Sequence, residues 1–143
     1  MKQLKFIGCI CCLLMLAACQ SEPAENQNEL SEGVEEERKE LDDEIGALVD
    51  SLKKTPNVND NKRAALELIA RSEAYAASFL KDEKTPPLLF QAGDVALGLG
   101  IYPLALENFN NLLTDHPDHE LAPDALMMVG FTYENHMDDK DRG

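Results

Sequence analysis

Two stretches of the chain lie on one another without a gap. PPLLFQAGDVAL at 86–97 and PDALMMVGFTYE at 123–134 place Pro86 on Pro123, Leu89 on Leu126 and Gly93 on Gly130, 37 positions apart. A unit copied at such a period is one supersecondary element, too small to bury its own apolar face. It becomes stable by stacking on its neighbours. This self-similarity restricts the fold more than any other feature of the sequence.

The periodicity within and around the copies is helical. Ala65, Leu68, Ile69, Ser72, Tyr75, Ala76 and Phe79 share one side of a helix expected over residues 62–81. Further helices are expected from Leu88 to Leu99, from Pro103 to Thr114 and from Pro123 to about His136. Lys84-Thr85-Pro86-Pro87 and His116-Pro117 interrupt them, and Gly100 suits a left-handed helix end. Upstream, Leu41, Ile45, Leu48 and Leu52 form one apolar stripe on an amphipathic acidic helix over residues 34–54, a stripe short for a coiled coil. Thr55-Pro56-Asn57 ends it, and Asp60 or Asn61 can cap the next. Alternating strand patterns are missing, so the expected class is all-α.

The first residues describe a different kind of segment. Lys2 and Lys5 precede an uncharged apolar run, Phe6 to Leu16, too short to span a bilayer and patterned as a signal peptide over residues 1–18. Its end, Leu16-Ala17-Ala18-Cys19, resembles the bacterial lipobox. That resemblance implies cleavage before Cys19 and a diacylglycerol on its sulfur. With Gln20 rather than Asp following, it implies sorting to the outer membrane on either its periplasmic or its surface face. Cys9, Cys11 and Cys12 would leave with the leader, so the remainder could build no disulfide framework. Residues 19–33, polar and with Pro23, read as a disordered tether.

Charge narrows the partners. The whole chain carries −14; without Lys2 and Lys5, 11 basic residues face 27 acidic ones, a net −16. Such a surface repels nucleic acid and anionic lipid head groups. The 125 residues after the leader suffice for one small domain.

Within the first unit, Leu89, Gly93, Ala105, Phe109 and Pro117 follow a large–small–small–large–Pro order. Gly93 and Ala105 let two helices approach, and Phe109 is expected to fill the gap toward the next hairpin. This order, together with a period near the roughly 34 residues of that repeat, resembles the tetratricopeptide family. DHPDHELAPDAL followed by GFTYEN is similar to the BamD-like group of outer-membrane assembly lipoproteins. The resemblance covers residues 62–143. Leu112 stands where Ala is usual, and Ala96 where Tyr is common. It implies a helix-turn-helix repeat solenoid fragment, one whose second unit lacks its partner helix and so belongs to a longer protein or needs a partner to cover its end.

In that family the first helix of each hairpin lines a concave groove. Carried over, the groove wall is Phe90, Asp94 and Leu97 in the first unit and Met127, Phe131 and Glu134 in the second. Phe90, Leu97, Met127 and Phe131 have a second reading as core, because an apolar stripe is also a packing pattern. A mixed apolar and acidic groove suits an extended or helical peptide with basic residues. His116 and His119 in DHPDHE sit in a turn without the helical spacing of zinc ligands, and read as a polar loop. His136 reads as an interhelical polar residue. GLG at 98–100 ends a helix and follows no strand, and no nucleophile elbow or phosphate loop is present. The expectation is an adaptor without cofactor or catalytic activity, binding envelope or outer-membrane proteins, with a periplasmic scaffold for cell-wall or division machinery as the alternative.

Overall fold

The computed structural model describes residues 24–54 and 57–137. The leader, Cys19 and residues 138–143 lie outside the described residues. Contacts divide the chain into two units, Met1–Val34 and Glu35–Gly143, and the packing below belongs to the second. Among the described residues there is no strand, and the class is all-α. Five α-helices follow in order: α1 (Ala24–Lys53), α2 (Lys62–Ser78), α3 (Thr85–Gly98), α4 (Tyr102–Asp115) and α5 (Ala122–Thr132).

α1 begins ten residues before the expected helix, so the tether expected over 19–33 is helical from Ala24 on. Ala24, Glu25, Gln27, Glu29 and Leu30 are good helix formers. A helix anchored further along gains a hydrogen bond for each residue it adds, and nothing in this polar stretch stops it. From Glu35 the expected stripe packs: Leu41 and Ile45 are buried against Leu68 and Tyr75 of α2, with Leu48 and Leu52 alongside. Three ion pairs fasten α1 further. Arg71 Nε meets Glu44 Oε2 at 3.1 Å, Lys84 Nζ meets Asp42 Oδ2 at 2.6 Å, and Arg38 Nη1, also paired with Glu35, meets Asp82 Oδ2 at 3.4 Å.

α2 is buried on two adjacent stripes. Leu68 and Tyr75 face α1, while Ile69 and Ala76 join the larger core of α3, α4 and α5. Its entry is a 3-10 turn, Val58–Asn61, capped by Asn57, whose side chain accepts from the Asn59 N–H at 2.9 Å. Asn61 stands at the N-cap of α2 but makes no side-chain cap bond; its Nδ2 donates to Ser51 Oγ at 3.1 Å.

α3 starts at Thr85, earlier than expected, because Pro86 and Pro87 occupy its first turn, where no N–H is needed. Gly100 ends it with φ +73°, the Gly100 N–H bonding to Leu97 O at 3.0 Å and the Ile101 N–H to Ala96 O at 2.9 Å. α4 then folds back on α3. Phe109 is fully buried in one cluster with Ala122 and Ala125 of α5. Its buried ring lies on Gly93 of its own hairpin and meets Phe90 edge-on at 5.5 Å between centroids. α5 ends at Thr132, short of the expected His136, and passes into a π turn, Tyr133–Met137.

The copies seen in the sequence extend through the backbone. α2 ends at Ser78 and α4 at Asp115; α3 starts at Thr85 and α5 at Ala122, each pair 37 residues apart. Both bends carry the same bonds. The Phe79 N–H reaches Tyr75 O at 2.8 Å and the His116 N–H reaches Leu112 O at 2.9 Å. The Thr85 N–H reaches Asp82 O at 3.1 Å and the Ala122 N–H reaches His119 O at 2.9 Å. A side chain latches each bend: Asp82 Oδ1 accepts from the Lys84 N–H at 2.9 Å, and His119 Nδ1 accepts from the Leu121 N–H at 3.2 Å.

Candidate functional site

The six residues expected to line a groove divide by burial. Phe90 and Leu97 are half-buried and pack against the core, so the packing reading holds for them, at least in part. Met127 and Phe131 are exposed four residues apart on one side of α5, and Glu134 is exposed in the π turn that follows it. Asp94, between Phe90 and Leu97 on α3, is also exposed at the residue level, yet burial of its carboxyl raises its pKa above the ordinary 3.8. Among the described residues no hydrogen bond or ion pair meets this carboxylate. An unpaired, partly buried acid gains from a cation brought to it.

A second surface of α5 was not expected from the sequence. Leu126, Gly130 and Tyr133 hold the places that Leu89, Gly93 and Ala96 hold on α3. Leu89 and Ala96 are covered, 2% and 0% exposed, whereas Leu126 and Tyr133 are 63% and 51% exposed. A Cβ at Gly93 would meet Phe109; one at Gly130 would meet nothing within 4 Å.

Charge is distributed unevenly along the chain. No Lys or Arg falls between Lys84 and Lys140, while carboxylates recur from Asp94 through Asp124 to Glu134. Among the described residues the cations of the folded unit lie on α1, just after it at Lys54, on α2 and on the α2–α3 bend, and Arg38, Arg71 and Lys84 are paired. The faces of α3, α4 and α5 therefore present one sign of charge.

The histidines have local duties. His119 latches the α4–α5 bend, and His116 caps the end of α4. His136 falls in the π turn. Among the described residues no three His, Cys, Asp or Glu gather as metal ligands. A cleft of about 330 Å³, lined by Glu73, Ala76, Leu80, Leu89, Asn111 and Asp115, includes none of the six groove residues. None of the helices among the described residues is long and apolar enough to cross a membrane. No protein-family model, known protein or solved structure matches the chain.

Proposed function

We infer that the chain is a lipid-anchored helical adaptor of the cell envelope, holding a basic segment of another envelope protein and catalysing no reaction. The observation that carries this reading is the exposure of Met127 and Phe131 on the helix that repeats α3, with the partly buried Asp94 carboxylate, unpaired among the described residues, on α3 itself. Apolar side chains supply contact area, and the carboxylate selects a Lys or Arg. The 37-residue recurrence of helices, bends and latches supports a tetratricopeptide-like array, whose first helices present such faces. The leader ending at Cys19 supports attachment to the outer membrane, and the BamD-like resemblance supports a part in outer-membrane protein assembly.

Two experiments test it. A photo-crosslinking residue at Phe131 in living cells should capture an envelope protein, and Asp94→Lys should abolish the capture; capture that survives Asp94→Lys refutes the groove. Labelling with a palmitate analogue should mark the chain, and Cys19→Ala should not take up label.

A further inference from the structure

We propose that the cleft between α2 and α4 is a binding site for an alkylammonium group, the end of a free amine or of a partner's lysine side chain. The ammonium lies between Glu73 and Asp115, and the aliphatic stem lies on Ala76, Leu80 and Leu89. None of the six groove residues lines this cleft, so its argument does not depend on the groove.

Three described helices build it. α2 supplies Glu73, Ala76 and Ala77, with Leu80 just past its end; α3 supplies Leu89, and α4 supplies Asn111 and Asp115. Ala76 and Leu89 are buried and make an apolar floor, while Leu80 is exposed. The space, about 330 Å³, is at the small end of the range for organic ligands, which runs from about 300 to 1,000 Å³.

The electrostatics of the lining has one sign. Glu73 and Asp115 form no ion pair among the described residues, and no Lys or Arg lines the cleft. Lys81, next to Leu80, lines a separate hollow with Ser78, Phe79 and Asp82. Both helix walls also end here: Ala76 and Ala77 lie in the last turn of α2, and Asp115 is the last residue of α4. A helix C-terminus carries a partial negative charge that a basic side chain in the last turn offsets, and neither helix has one. The first turn of α3 offers no free donor. Pro86 and Pro87 have no N–H, and those of Thr85 and Leu88 bond to Asp82 O and Lys84 O.

Behind Asn111 on α4, the fully buried Asn108 donates Nδ2 to Glu73 Oε1 at 2.8 Å and holds that carboxylate across the gap between the helices. Its Oδ1, on the same amide, is buried without a donor among the described residues. Acceptors here outnumber donors, which an ammonium with its three N–H groups complements. A metal ion fits less well, because no third His, Cys, Asp or Glu gathers with the two carboxylates among the described residues.

The test titrates n-hexylamine hydrochloride at pH 7 into the isotope-labelled full chain and follows the backbone amide signals by NMR. Those of Ala76, Ala77 and Asn111 should shift saturably, and n-hexanol, with the same stem and no charge, should bind about tenfold more weakly. Glu73→Gln keeps an acceptor for Asn108 and Asp115→Asn alters an exposed side chain, so both should fold. Each should weaken amine binding about threefold or more. Asp94→Asn should leave it unchanged, so failure of the groove and failure of the cleft are told apart. A blocked peptide with one lysine among alanines separates the two sources. Shifts of the same three signals at lower concentration than hexylamine needs identify a partner's lysine; shifts only at higher concentration identify a free amine, and both keep the site. Equal amine affinity in the unaltered chain, Glu73→Gln and Asp115→Asn overturns the proposal, as does the absence of saturable shifts at the three residues. Tighter amine binding when Lys140→Gln and Arg142→Gln are combined overturns it in favour of the chain's own tail.

Discussion

The Phe109 ring rests on Gly93 with no room for a side chain between them, whereas the equivalent Gly130 faces open space. One substitution should therefore have opposite signs at two matched positions. Gly93→Ala gains helix propensity of about 1 kcal/mol but forces a fully buried ring to move, at about 1–3 kcal/mol, for a net loss of about 1 kcal/mol. Gly130→Ala keeps the propensity gain and should stabilise by up to ~1 kcal/mol. Urea denaturation of both variants reads the difference.

Two carboxylates should give opposite pH dependences. The Lys84 backbone N–H, with help from Arg38, holds Asp82 below its ordinary 3.8. Its contribution to stability is present above that value and lost as the pH falls through the lower folded one. Asp82→Asn should lower the melting temperature at pH 7, and the deficit should close in strong acid. Burial raises Asp94, whose contribution is fully present below 3.8 and lost as the pH rises through its higher folded value. Asp94→Asn should raise the melting temperature at pH 7 and leave it unchanged in strong acid.

Asn108 is fully buried on α4, and its Nδ2 donates to Glu73 Oε1 at 2.8 Å and to Leu104 O at 3.0 Å. Asn108→Asp removes the donor and sets a second carboxylate against Glu73. The loss at pH 7 should be about 2 kcal/mol or more, recovering in part at mildly acidic pH as the pair takes up a proton. Denaturation midpoints at the two pH values check it.

The buried face of α2 was legible because a helix against a core must repeat its apolar residues at its own pitch. Ala65, Leu68, Ile69, Ser72, Tyr75 and Ala76 are all buried as expected, and Phe79 half so. The start of α1 was not legible. Polar residues there neither require nor forbid a helix, and growth outward from Leu41 and Ile45 decides it. The latches were hidden for a chemical reason: Asp82 and His119 do the same work with different acceptors, so the repeat is absent from the letters. Of the residues expected to line a groove, Met127, Phe131 and Glu134 are exposed. Phe90 and Leu97 carry the ambiguity of any apolar residue at a helix edge, which packs on one side and faces outward on the other.

Each bend closes on itself: its latch joins residues two apart, and its backbone bonds stay within a few positions. The joint therefore asks little of what lies beyond it. A second copy of residues 79–115 spliced after Asp115 would bring its own bend bonds and latch and need no new hinge.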